Sequence, residues 1–139
     1  MSTTRTYALR VPSERQNIVA VGPFLDSIQE LVRLGPVRLH DLHVAITEAV
    51  NNAIIHAHAC QPDVAVDISV QTSDTEVVVV VRDYGPGFDP NQVPDPRLPE
   101  NLLREGGRGV FLIRHLADAV EFRPGDPGMH IMITYSLPV

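Results

Sequence analysis

The chain has 139 residues, 44% of them hydrophobic, and a formal net charge of −6, which suits one domain with its own core. That acidic balance disfavours nucleic acid or an anionic membrane surface as a partner, since both call for a positive patch. All eleven basic residues are Arg, which excludes a Gly-Lys-Ser/Thr phosphate loop and any Schiff-base lysine.

No apolar run approaches the ~20 residues of a membrane span, and Met1-Ser2-Thr3-Thr4-Arg5 lacks a signal-peptide core. The expected location is cytoplasmic. Cys60 is the single cysteine, so no intrachain disulfide forms; it reads as a structural or incidental thiol.

Thr6 to Val11 alternates and runs into Pro12, as a strand at a sheet edge does. Ser13 is placed to cap a helix, with Gln16 at the capping-box position. Ile18, Val21, Phe24, Leu25, Ile28, Leu31 and Val32 keep helical spacing as far as Gly35-Pro36. Gly22-Pro23 implies a kink inside that stretch or a helix that starts at Pro23.

A long helix is expected from Leu39 to Ala59. Ile46, Val50, Ala53 and Ile54 face a core, while Glu48, Asn52 and His56 recur every fourth residue on an opposing stripe. Val64–Gln71 alternates as a half-buried strand, Ser73-Asp74 turns, and Glu76–Arg82 carries five consecutive valines. That run is too continuous for an exposed strand and belongs at the centre of a sheet.

From Tyr84 to Arg104 periodicity gives way to Pro and Gly in a loop of about twenty residues, a length that is usually functional or disordered. A short helix from Val110, a strand over Ala119–Arg123, a Pro-Gly hairpin loop and a last strand over Met129–Leu137 complete the chain. There is no internal repeat, and residues 1–139 read as a single domain. The order predicts an α/β (α+β) two-layer sandwich with helices on one face of a mixed sheet.

Three stretches carry chemistry. Asp83-Tyr84-Gly85-Pro86-Gly87 follows a buried strand, so the Asp83 carboxylate sits at the core's rim. There it can accept from an exocyclic amino group such as adenine N6, and it would repel the O6 of guanine. Gly85 and Gly87 leave room for a flat ring against the backbone. Taken alone, the stretch reads first as an Asp-Gly turn after a strand. A Rossmann reading fails, because prolines rather than a helix follow the glycines.

Gly106-Gly107-Arg108-Gly109 opens a helix, whose free N–H groups and positive dipole end form a phosphate site that Arg104 or Arg108 can supplement; it reads also as a hinge. On the long helix, the Asn52 carbonyl is a hard ligand suited to Mg²⁺ held mainly by phosphates and water. Glu48, one turn earlier, is placed to take a proton from an attacking hydroxyl or water. Three polar residues on a helix read by themselves as a solvated face; their company downstream makes them a site. His56 reads as structural, packed at the helix end, and His40, His43, His58, His115 and His130 show no ligand spacing with a partner acid.

With these residues in view, the chain resembles the GHKL superfamily of ATP-binding domains over nearly its whole length. Glu48–His56 is similar to the family's N box, Asp83–Phe88 to its G1 box and Gly107–Ile113 to its G2 box. The short length and the form of the N box resemble one branch, the bacterial anti-sigma-factor serine/threonine kinases. That resemblance implies a Bergerat-type ATP-binding fold and a protein kinase that uses ATP and Mg²⁺. It implies binding to a sigma factor and phosphorylation of a Ser or Thr on a STAS-domain anti-anti-sigma partner.

Carried over residue by residue, the resemblance makes Glu48 the general base, Asn52 the Mg²⁺ ligand and Asp83 the adenine contact. Gly85, Gly87, Gly107 and Gly109 line the nucleotide pocket, and Pro90–Glu105 is the lid over ATP. Arg104, three residues before Gly107, stands where well-known members carry an Arg. No phosphoacceptor-helix domain is expected upstream, so a complete sensor histidine kinase is not the expectation. Branch members are often dimers, and a homodimer is compatible with the sequence. Two other readings remain: a non-catalytic nucleotide-binding module that sequesters a partner, and a stand-alone ATPase domain working with a separate phosphoacceptor.

Overall fold

Burial that alternates residue by residue builds one face of a five-stranded sheet. In the computed structural model, residues 4–85 and 107–138 are described, except for the side chains of residues 107–109. Gly87, Arg104 and the expected lid lie outside the described residues. The strands are β1 (Arg5–Pro12), β2 (Ala65–Thr72), β3 (Glu76–Asp83), β4 (Ala119–Pro124) and β5 (Met129–Ser136), in the order β1-β2-β3-β5-β4.

Successive strand residues point to opposite faces. Val66, Ile68 and Val70 on β2, Val77, Val79 and Val81 on β3, and Ile131, Ile133 and Tyr135 on β5 all point inward and are buried. Asp83 is the next inward position after Val81. The period of two is what carries a carboxylate to the inner face at the end of the strand. As expected, β1 is an edge strand and the valine-rich β3 is central.

The two-layer α/β expectation holds, but the sheet is antiparallel throughout rather than mixed. β3 and β4 do point the same way, as a helical crossover leaves them. β5 then folds back between them and pairs antiparallel with both. The β2–β3 turn is held by Ser73, whose hydroxyl oxygen accepts from Thr75 and Glu76 N–H.

The helical stretch after β1 is more broken than its spacing predicts. It consists of a 3-10 segment (Arg15–Ala20), helix α1 (Val21–Asp26) and a second 3-10 segment (Gln29–Leu34). Pro23 falls in the first turn of α1, where no N–H is required. Ser13 does not cap a helix; its side chain is engaged elsewhere, as described below. Tyr7 and Arg5 tie the second 3-10 segment to β1 through the Glu30 carboxylate.

Gly35, at φ 82°, and Pro36 at the first helical position open α2, which starts three residues before the expected Leu39 and spans Pro36–Asn52. Leu42, Ala45, Ile46, Ala49 and Val50 bury its inner stripe. After Asn52 the helix continues as a π turn, Ala53–Ala57. Helix α3 spans Gly107–Leu116, so Gly107 and Gly109 lie in its first turn instead of preceding it. It packs beside α2 and buries Val110 and Ile113.

Candidate functional site

The π turn governs how the end of α2 meets β3. Its wider i→i+5 pattern places one extra residue in the turn, so the buried position falls at His58 rather than Ala57. The His58 N–H donates to Ala53 O at 2.9 Å, and Cys60 N–H to Ile54 O at 2.8 Å. Ala59 and Cys60 then take left-handed conformations, φ 49° and 56°, to turn the chain toward β2.

Against this helix end lies the turn Asp83-Tyr84-Gly85. Asp83 is buried, and its Oδ1 accepts the Gly85 N–H at 3.1 Å. A Cβ on Gly85 would sit 2.4 Å from Ala57 O. Only glycine lets the turn approach the helix this closely. From the other side, Gly128 has φ 95°, and a Cβ there would meet Asp83 O at 2.0 Å. Asp83 is thus clasped between the end of α2 and the start of β5.

Burial pushes the Asp83 carboxyl above the usual carboxylate range. The N–H groups of Gly85 and Met129, and the nearby His58 and Arg82, oppose that shift in part. A buried acid whose charge these groups offset only in part is one that a donor from outside can stabilise further.

His58 is the residue that spacing did not single out. Its Nδ1 lies 2.7 Å from Ser13 Oγ, and its Nε2 accepts the Tyr84 N–H at 2.8 Å. Burial lowers the pKa of the ring, with Asp83 pulling the other way. Its partners are 45 and 26 residues away in sequence, so no local pattern could announce them. His56, expected to be packed, is exposed instead: the i+4 stripe from Asn52 points outward once the π turn has shifted the inner face to His58.

Tyr84 is anchored on the outer face of the sheet as well. Its hydroxyl donates to Asp67 Oδ2, and Arg82 lies over its ring at 4.6 Å. Asp67 is also bound by both Nε and Nη2 of Arg10, at 2.7 and 3.0 Å.

Glu48 and Asn52 stand half-buried on α2, Asn52 being the last residue before the π turn. The Asp83–Gly85 turn meets the π turn that follows them. Gly107, Arg108 and Gly109 form the first turn of α3, which packs along α2. A helix of this kind leaves its first four N–H groups without partners within the helix. Among the described residues, no three His, Cys, Asp or Glu side chains cluster so as to hold a metal. The donor set at α2 is one amide and one carboxylate, which fits an ion carried mainly by a ligand's own oxygens.

No helix among the described residues is long and apolar enough to cross a membrane. A family model described as the histidine kinase-like ATPase domain matches residues 11–135. The serine-protein kinase RsbW of Oceanobacillus iheyensis is 26% identical over 140 aligned positions, covering 96% of this chain and 88% of its own length. The anti-sigma F factor of Pasteuria penetrans is 30% identical over 118 positions, covering 83% and 75%. The serine/threonine-protein kinase BtrW of Bordetella bronchiseptica is 30% identical over 95 positions, 67% of each chain. By the extent of these matches, the chain belongs to the histidine kinase-like ATPase domain family.

Proposed function

We propose that the chain is an ATP-dependent protein serine/threonine kinase and anti-sigma factor that phosphorylates a Ser or Thr on a STAS-domain anti-anti-sigma partner. One observation carries this reading. In a chain matched over most of its length to serine-protein kinases, the helix bearing Glu48 and Asn52 meets both the Asp83 turn and α3.

The division of labour follows from chemistry. Asp83 accepts the amino group of adenine, with the glycine-bordered turn against the ring. The N–H groups of Gly107, Arg108 and Gly109 face the phosphates at the start of α3; Gly87, Arg104 and Arg108 keep the nucleotide-binding roles that the sequence resemblance implies. Asn52 would hold Mg²⁺ through its carbonyl, the ion supplying charge neutralisation at the phosphates. Glu48 takes the proton from the attacking hydroxyl, so that the oxygen forms its bond to the γ-phosphorus as ADP leaves. Positioning and charge stabilisation supply most of the acceleration in such transfers. A sigma factor is the second partner, and a homodimer is compatible with this role.

The test is phosphorylation of a STAS partner by the full chain with ATP and Mg²⁺, read by gel shift. Glu48→Ala is expected to keep ATP affinity and slow transfer at least ~100-fold. Asn52→Ala should lose the Mg²⁺-dependent part of binding. ATP binding with no transfer would make the chain a regulatory binding module, and acid-labile phosphohistidine on the product would make it an ATPase domain with a separate phosphoacceptor.

A further inference from the structure

We propose that His58 is a positioning residue for the nucleotide base: as the neutral Nδ1–H tautomer it holds the backbone of the Asp83–Gly85 turn. The inference rests on the reading of Asp83 as the base contact.

The tautomer follows from the partners. β3 ends at Asp83, the last residue paired with β5, so the Tyr84 N–H has no strand partner. It donates to His58 Nε2 at 2.8 Å. A peptide N–H can only donate, so Nε2 carries the lone pair and the proton resides on Nδ1. Nδ1–H then donates to Ser13 Oγ at 2.7 Å. Ser13 is itself fixed, because its N–H donates to Val64 O at 3.1 Å.

The end of β1 and the exit from β3 therefore meet the buried ring that follows the π turn, and the approach to β2 is tied in through Ser13. Ser13 and His58 are both buried. The next link is the Gly85 N–H on Asp83 Oδ1. Displacing Tyr84 N–H moves the residue between Asp83 and the amide that orients its carboxylate. Both nitrogens of the ring are occupied and neither is offered to a ligand, which makes this a positioning role rather than a catalytic one.

The arrangement requires a neutral ring. A second proton would put Nε2–H against the Tyr84 N–H, two donors facing each other. The groups that face the ring are the Ser13 hydroxyl from the end of β1, Tyr84 from beyond β3, and the charge of Asp83. Burial lowers the pKa of the ring, which favours its neutral form against the pull of Asp83.

The test is calorimetric titration of the full chain with ATP and with GTP from pH 7.5 to 5.5, for wild type, His58→Phe and His58→Gln. His58→Phe fills the space but offers no acceptor. It should weaken ATP about tenfold at pH 7.5 and narrow the preference for ATP over GTP, which a loss of folded protein alone would not change. His58→Gln keeps a carbonyl acceptor and an N–H donor at every pH. It should recover most of the affinity and lose the decline toward acid expected of wild type. Wild-type affinity, base preference and pH profile in His58→Phe would overturn the proposal while leaving the Asp83 reading intact. Should His58→Phe not fold, a pH profile in His58→Gln equal to wild type overturns it. Failure of wild type to bind ATP overturns both readings.

Discussion

At the scale of single residues, Asp83, the proposed base contact, works against its own fold. Burial raises its pKa above the ordinary 3.8, so ionisation costs the folded protein something that an incoming amino group can return. Replacing it with Asn keeps an oxygen for the Gly85 and Met129 N–H groups and removes the buried charge. The expected outcome is a melting temperature at or above wild type, with ATP affinity about tenfold or more weaker. Calorimetry for stability and titration for binding check the two halves. Asp83 was legible in the sequence, since an acid at the end of an alternating buried strand has to face inward. His58 was not, because what defines it is a hydroxyl and an amide from two distant segments.

At the scale of elements, the end of α2 is the feature that spacing could not anticipate. The apolar stripe of Ile46, Val50, Ala53 and Ile54 is buried as its period predicts. Beyond Ala53, however, hydrogen bonding changes from i→i+4 to i→i+5, and no residue type announces that change. The turn that follows holds two successive non-glycine residues in left-handed conformations, each costing ~1–2 kcal/mol. Ala59 is exposed, so relieving it disturbs no packing. Ala59→Gly should stabilise the fold by ~0.5–1 kcal/mol after the added chain entropy of glycine is counted, measured by urea unfolding. Gly85 makes the reciprocal demand, because the turn it belongs to must touch the carbonyl of Ala57.

At the scale of the whole molecule, two histidines link stability to pH in the same direction. His58 is held below its ordinary 6.5 by burial, and His130 by burial and by Arg82 and Arg123. The unfolded chain binds these protons more readily than the folded one. The stabilisation is therefore complete above about 6.5 and is lost as the pH falls through the lowered folded values. Asp83 acts in the opposite sense nearer its own range. Unfolding free energy measured from pH 7.5 downward should decline, and His58→Gln should make that decline shallower. ATP should also raise stability by mass action, ~2.7 kcal/mol at a hundred times its Kd, seen as a concentration-dependent melting temperature.

Periodicity alone determined the elements that bury a stripe or a face: the edge strand, the central valine strand, the long helix and the two-layer sandwich. Burial of apolar side chains at fixed spacing is a local property of a sequence. Short motifs were legible for the same reason, as Gly, Asp, Glu and Asn at set intervals. Only the tertiary structure decided that β5 inserts between β3 and β4, that Ser13 serves a ring instead of capping a helix, and that His58 rather than His56 faces inward. Each of these depends on where distant backbone groups need a hydrogen-bond partner, and a strand end or a widened helical turn creates that need only once the chain has folded.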